Sequence, residues 1–331
     1  MKTKDKLLAL FEENKGVYFS GEEIAEKFSV SRTAVWKAVN RLRSQGYQID
    51  AVPNKGYSLS VDTDILSTQG MGKYLRPICS KLKLHMLPMA TSTNAWMRQQ
   101  AEAGAPEGYA VIANAQTEGR GRQGRRFYSP ADTGVYMSLL LRPGKYSPSQ
   151  SVKLTTMAAV AACEAMEKVS GKSAQIKWVN DIYMDGRKVS GILTEAALGL
   201  EDGSLDYVIL GIGVNAYPPR EGFPAEIRDL AGAVFQQPQD DGKNRLAAEF
   251  LNRFMGYYAE EESSDYAKEY RARSLAIGKE VEVLSSVGAR KAKALDVDGD
   301  CRLVVQYEDG QTEALSSGEI RVRLTQQGGL T

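Results

Sequence analysis

The chain has 331 residues, 43% hydrophobic and 25% charged, the proportions of a soluble globular protein with two or three domains. Its net charge of +1 draws no polyanion as a whole, so any nucleic-acid contact must come from a local patch. Cys79, Cys163 and Cys301 lie far apart without metal-like spacing, which argues for buried thiols in a reducing compartment. A single histidine, His85, argues against serine–histidine hydrolysis, and the apolar runs fall short of the ~20 residues of a membrane span. The N-terminus is charged and helical rather than a leader, so a cytoplasmic protein with no membrane partner is expected.

In chain order, Lys4–Glu13 carries Leu7, Leu8, Leu10 and Phe11 at helical spacing, and Gly21–Phe28 forms a short second helix. Ser31 is placed to cap a third helix running to about Ser44, with Val35, Val39 and Leu42 facing inward. Tyr47–Val52 and Gly56–Ser60 read as a hairpin wing across Pro53-Asn54-Lys55. Residues 31–60 hold five basic side chains against Asp50 alone, a local excess of +4. A winged helix-turn-helix places its third helix in the major groove, so Ser31, Arg32, Thr33, Trp36, Lys37, Asn40 and Arg41, with Lys55 on the wing, are the DNA-facing candidates. Trp36 fits a partial core role equally well.

A strand at Lys81–Met86 leads through Ala90-Thr91-Ser92-Thr93-Asn94 into a helix from about Asn94 to Ala103. Short hydroxyl and amide side chains there can cap the helix or bind a neutral polar ligand, and capping is the simpler reading. Tyr109–Ala115 delivers Gln116 to the run Gly119-Arg120-Gly121-Arg122-Gln123-Gly124-Arg125-Arg126. Four guanidinium groups and three glycines in eight residues make an anion grip, expected to lack order of its own until an anion neutralises it. A very apolar strand, Val135–Leu141, and a long alanine-rich helix, Ser151–Val169, come next. Then follow Lys177-Trp178-Val179-Asn180-Asp181, a turn at Asp185-Gly186, Arg187-Lys188-Val189-Ser190-Gly191-Ile192-Leu193-Thr194-Glu195, and the strand Tyr207–Asn215. Adjacent strands joined by tight turns suggest an α+β sheet rather than a doubly wound one. A strand lysine needs an anion, which for Lys188 is either a ligand or a structural partner in Asp181 or Glu195, while Arg187 reads as a solvated hairpin residue. A charged helical linker, Glu260–Ala272, precedes strand pieces at Glu280–Leu284, Ala289–Val297, Leu303–Tyr307 and Gln311–Leu315, whose tight turns indicate a small SH3-like barrel.

In this order, the Ser-Thr-Asn, Gln, Gly-Arg-Gly-Arg-x-Gly-Arg, Lys-Trp-x-Asn-Asp, Arg-Lys-x-x-Gly-Ile-Leu-x-Glu and Gly-Ile-Gly-x-Asn motifs resemble the biotin protein ligases. With the winged helix in front, nearly the whole chain resembles their bifunctional ligase–repressor branch. Val179 stands where a proline is common and is expected to keep its strand extended; Phe127 stands where many members have tryptophan and can still stack.

The resemblance implies three units: a winged helix-turn-helix at 1–62, a mixed-sheet α+β ligase domain of class II synthetase type at 63–273, and the barrel at 274–331. It implies that biotin and ATP form biotinyl-5′-adenylate with release of pyrophosphate. A lysine on the carboxyl-carrier acceptor domain of a biotin-dependent carboxylase then takes the biotinyl group. By the same resemblance Ser92, Thr93, Asn94 and Gln116 hold the ureido head, while Arg120, Gly121 and Arg122 close over biotin and the adenylate phosphate. Lys188 neutralises the carboxyl and phosphate oxygens, so Lys188, Arg122 and Arg120 are the catalytic candidates. Arg125, Lys177, Asn180 and Asp181 belong to the ATP side, Asp181 with Mg²⁺, and Phe127 and Asn215 frame the adenine. Biotinyl-adenylate would also drive a homodimer onto operator DNA. Two other functions remain open on the residues: a non-enzymatic winged-helix sensor of a small anion, and a lipoate ligase, against which the polar Ser92-Thr93-Asn94 and Gln116 set argues.

Overall fold

In the computed structural model, which describes residues 2–144, 151–199, 205–260, 265–285, 288–316 and 319–322, the N-terminal region is built from α1 (Thr3–Glu13), α2 (Gly21–Phe28) and α3 (Arg32–Arg43). An antiparallel hairpin, β1 (Ile49–Val52) and β2 (Gly56–Leu59), completes it. The start of α2 carries a capping box: Ser20 accepts from the Glu23 amide while the Glu23 carboxylate accepts from the Ser20 amide. Ser31 caps α3 by accepting from the Ala34 amide. Leu7, Phe11, Ile24, Val35, Val39, Leu42 and Leu59 are buried together, each aliphatic side chain contributing about 1.5–3 kcal/mol. Arg43 donates twice to the Ile49 carbonyl, at 3.0 and 2.6 Å, and so pins the wing to α3.

The central region begins with α4 (Thr68–Gly72), β3 (Lys83–Leu87), α5 (Thr93–Glu102), β4 (Tyr109–Ala113), β5 (Gly134–Leu141) and α6 (Ser151–Ser170). It continues with β6 (Gln175–Lys177), β7 (Asp181–Met184), β8 (Arg187–Leu198), β9 (Leu205–Asn215), α7 (Gly242–Ala259) and α8 (Tyr266–Ala272). Seven strands form one sheet in the order β3-β4-β5-β9-β8-β7-β6, parallel only at β3–β4. Every residue of β5 is buried, because α6 and α7 cover one face and α5 the other. A strand covered on both faces reads as an unbroken apolar run, which is how Val135–Leu141 looks in sequence. The alanine-rich face of α6 lets it lie close to the sheet and to α7. Of the expected linker, α8 is helical from Tyr266, whereas residues 261–264 lie outside the described residues.

The C-terminal strands are β10 (Glu280–Ser285), β11 (Gly288–Val297), β12 (Leu303–Tyr307), β13 (Thr312–Leu315) and β14 (Glu319–Val322). They form an antiparallel sheet in the order β13-β12-β11-β10-β14, a β domain with no ladder closing β13 onto β14 among the described residues. The apolar core runs from the central sheet into this one without a break. The backbone joins them too: the Ile176 amide donates to the Arg273 carbonyl and the Leu275 amide to the Ile176 carbonyl, each at 2.8 Å. All three cysteines are buried, and among the described residues no helix is long and apolar enough to cross a membrane.

Candidate functional site

A tight turn shapes the arginine–glycine loop into a hairpin, where a loop without order of its own was expected. The Gly121 amide donates to the Arg125 carbonyl at 2.7 Å, and the Phe127 amide to the Gly119 carbonyl at 2.8 Å. At its tip Gln123 and Gly124 both have positive φ, 55° and 72°, the conformation that a two-residue hairpin turn requires. Gly119 is needed for close approach, since a Cβ there would lie 2.3 Å from the Phe127 carbonyl oxygen. Backbone hydrogen bonds thus offset the repulsion among the arginines that composition alone stresses.

This hairpin forms one wall of a pocket over β8 and β9, whose other walls come from the start of α5, Gln116, Phe127, the turn between β6 and β7, and Lys188. Among the described residues, six cationic side chains (Arg120, Arg122, Arg125, Arg126, Lys177 and Lys188) line it with a single carboxylate, Asp181. That imbalance suits an anion. Arg122 donates to the Asn180 side-chain oxygen at 3.2 Å, and the Asn180 amide nitrogen donates to the Ile192 carbonyl at 2.7 Å. The Trp178–Asn180 segment, expected to continue a strand through Val179, is instead the turn of the β6–β7 hairpin, because Lys177 pairs directly with Asp181.

Lys188 donates to Asp181 at 2.7 Å, so the pairing weighed as an alternative is present. Asp181 lies opposite Gly191, three residues beyond Lys188, and a regular strand would turn Lys188 to the other face. A bulge between β7 and β8 shifts the register there and restores both side chains to one side.

The Ser92-Thr93-Asn94 cluster divides its work. Ser92 is buried at the N-cap of α5 but its side chain makes no capping bond; it lines the pocket. The Thr93 amide and hydroxyl donate to the Gln116 oxygen at 2.8 and 3.2 Å, and the Gln116 nitrogen donates to Ser129 at 3.0 Å. Asn94 lines the pocket and makes three hydrogen bonds within the protein. It accepts from Ser138 at 2.6 Å and donates to the Leu193 carbonyl at 3.2 Å and to Glu195 at 2.8 Å. These bonds tie α5 to the sheet at the pocket floor, and Gly211 makes room: a Cβ there would sit 2.1 Å from the Asn94 oxygen.

Phe127 lies on Gly213, where a Cβ would come within 2.6 Å of the ring. Asn215 donates to the Gly232 carbonyl at 3.0 Å and is not among the pocket walls; two residues beyond Gly213, it has left the floor. Sequence reasoning assigned nothing to Ser138, although a hydroxyl inside so apolar a strand is a signal; Glu195, weighed as a partner for Lys188, instead accepts from Asn94 and from Arg98, the latter at 2.5 Å. It also missed Ile320 of β14, which lines the pocket and carries no local signal.

On the N-terminal region Arg32, Thr33, Lys37 and Arg41 are exposed on α3, with Asn40 half-buried. Ser31 is spent as the cap. Trp36 is 56% exposed, so the partial core role does not hold. Lys55, exposed at the wing turn, lies over the Tyr18 ring at 5.9 Å.

Three family models match the chain: the biotin/lipoate A/B protein ligase family over residues 87–215, a helix-turn-helix domain over 3–58, and the biotin protein ligase C-terminal domain over 276–323. The bifunctional ligase/repressor BirA of Bacillus subtilis is 33% identical over 313 residues, 92% of this chain and 94% of that protein. Its Escherichia coli counterpart is 32% identical over 63% of this chain and 62% of its own length. Among solved structures, the biotin protein ligase from Aquifex aeolicus in complex with biotin and ATP aligns with a TM-score of 0.60 at 27% identity, covering 73% of this chain and 98% of that one.

Proposed function

The chain belongs to the biotin/lipoate A/B protein ligase family, and on that premise we propose the roles its pocket and its third helix play. The protein is an ATP-dependent biotin protein ligase that also represses transcription. Its substrates are biotin and ATP, and its partners are a carboxylase acceptor domain and operator DNA.

The observation that carries the site assignment is the pocket in which six cations line the walls with one carboxylate, beside a fixed polar corner at Gln116. In adenylate formation a biotin carboxylate oxygen attacks the α-phosphorus of ATP, and the bond to the bridging oxygen breaks to release pyrophosphate. Both reactants are anions, so positive charge lowers this barrier more than a strong base would. Arg120 and Arg122, from the hairpin above, and Lys188, from the floor, meet the carboxylate and α-phosphate oxygens. Lys188 reaches them by exchanging Asp181 for a more highly charged partner. Arg125, Lys177 and Asn180 attend the polyphosphate, and Phe127 on Gly213 offers an apolar face for the adenine. Ser92, Thr93, Gln116 and the backbone of Gly121 hold the biotin end. In the second step an acceptor lysine amine attacks the acyl carbon, the carbon–oxygen bond to phosphate breaks, AMP leaves and the amine loses its proton to solvent.

Asp181, a carboxylate on the pocket wall, would help hold Mg²⁺ together with substrate phosphates, and the ion would supply further neutralisation of phosphate charge. The C-terminal sheet, with its bulge at Ala294–Asp296 and a buried inner face of Val281, Ala292, Ala294, Leu303 and Val305, supports an SH3-like barrel. Unit boundaries at 62 and 273 fit the three matched spans.

On the repressor side, a homodimer formed with bound biotinyl-adenylate would offer two α3 helices to a two-fold operator. Pyrophosphate release is expected with biotin and ATP but not with lipoate, and sedimentation is expected to detect a dimer only when both substrates are present. Release with lipoate alone would overturn the biotin assignment, and an unchanged mass would remove the corepressor role.

A further inference from the structure

Two side chains, Tyr270 from outside the pocket and Trp178 from the turn itself, hold the turn that presents Asn180. The Tyr270 hydroxyl donates to the Val179 carbonyl at 2.9 Å, across 91 residues of sequence, and the Trp178 indole donates to the Cys301 carbonyl at 3.0 Å. Tyr270, on α8, is wholly buried, and burial pushes its phenol well above the ordinary value, so it stays a donor. The Val179 carbonyl belongs to the peptide that leads into Asn180, and the Asn180 carboxamide is the bridge between Arg122 of the hairpin and Ile192 of the floor. A rotation of that peptide therefore moves the oxygen that Arg122 meets.

We propose that Tyr270 is a positioning residue for adenylate formation, holding the Trp178–Asn180 turn so that Asn180 sets the place of Arg122. The inference rests on the ligase reading of the pocket. Through it the C-terminal part of the chain acts on the chemistry, since α8 leads directly into the Arg273–Leu275 segment that pairs with β6. Tyr270 touches neither substrate; it acts through Asn180.

Biotin-dependent exchange of pyrophosphate into ATP tests this in the full chain. Tyr270→Phe keeps the ring and removes the hydroxyl, leaving a buried carbonyl unpaired, and kcat is expected to fall roughly tenfold. The KM for biotin should hold, because its ureido end lies with Gln116 rather than with the turn. In an Asn180→Ala background the same substitution is expected to change kcat no further, the non-additivity of residues acting in series. An unaltered kcat in Tyr270→Phe, or equal falls in both backgrounds, would overturn the proposal. If Tyr270→Phe does not fold, as a thermal melt would show, Trp178→Phe removes the other grip on the same turn and must show the same dependence on Asn180. Wild-type protein without exchange would overturn the ligase reading itself, and the role of Tyr270 with it.

Discussion

On the proposed mechanism, Lys188 serves folded protein and reaction alike. Half-buried and held by Asp181, it is already partnered, so truncation removes a charge the pocket needs without leaving a core cavity. Lys188→Ala should therefore retain the fold, with an unchanged thermal midpoint, while adenylate formation drops about 10²–10³-fold, the loss typical of one electrostatic contact to a developing charge. Wild-type turnover in that variant would refute its role. Asn94 makes a related case. Its motif points to the ligand and it lines the pocket, yet three hydrogen bonds to Ser138, Leu193 and Glu195 also tie it to the scaffold. A motif identifies where a residue is needed and leaves open whether the ligand or the fold needs it.

At the scale of elements, α3 has its inner face filled by Val35, Val39 and Leu42 and its outer face left to Arg32, Thr33, Trp36, Lys37 and Arg41. Side chains on phosphates give a salt-dependent, sequence-independent share of affinity. Lys37→Ala and Arg41→Ala are each expected to weaken operator binding and to flatten the plot of log affinity against log salt by about one unit for each phosphate left without its cation. Binding titrations at several salt concentrations would check this, and an unchanged slope would place those residues away from the phosphates. Elements with strong local patterns were legible in the sequence: α2 runs over Gly21–Phe28 as periodicity predicts, and the helix α3 begins where expected. The helix α7 went unassigned although Leu246, Phe250, Leu251 and Phe254 stand at helical spacing, because no motif drew attention to it. What stayed hidden depends on partners distant in sequence. The bulge beside Lys188, the grip of Tyr270 on Val179 and the arrival of Ile320 at the pocket have no local signature.

For the whole molecule, the informative feature is the charged junction between the winged helix and the central region. Lys15, just beyond α1, donates to Asp241 at 2.6 Å, and Lys73 donates both to Asp241 and to Glu12 of α1, the latter at 2.9 Å. Tyr74 donates to Asp241 at 2.8 Å, and Lys15 also reaches the Thr63 carbonyl at 2.6 Å. Both carboxylates are almost wholly buried, and their two lysines balance them in charge. They respond oppositely to that setting. Burial raises the Glu12 carboxyl above the usual range despite Lys73, with Asp241 adding repulsion and Lys15 opposing it. Burial also pushes Asp241 upward, but hydrogen bonds from Lys15, Lys73 and Tyr74 outweigh it and leave Asp241 below the ordinary aspartate value of 3.8. A depressed group contributes stability above its unfolded pKa and loses it as pH falls through the folded one; a raised group contributes below its unfolded pKa and loses it as pH climbs. Asp241 thus stabilises the junction at neutral pH and releases it in acid, whereas ionised Glu12 is a cost that the lysines offset. Asp241→Asn should cost about 3–5 kcal/mol at pH 7, the usual result of breaking a buried pair, and should lose the component of acid sensitivity that sets in below pH 3.8. Glu12→Gln should cost less at pH 7, because burial already disfavours ionised Glu12 whereas three hydrogen-bond donors favour ionised Asp241. Urea denaturation of both variants from about pH 2 to pH 8 would decide, and equal losses at neutral pH would show that the two carboxylates share the junction evenly.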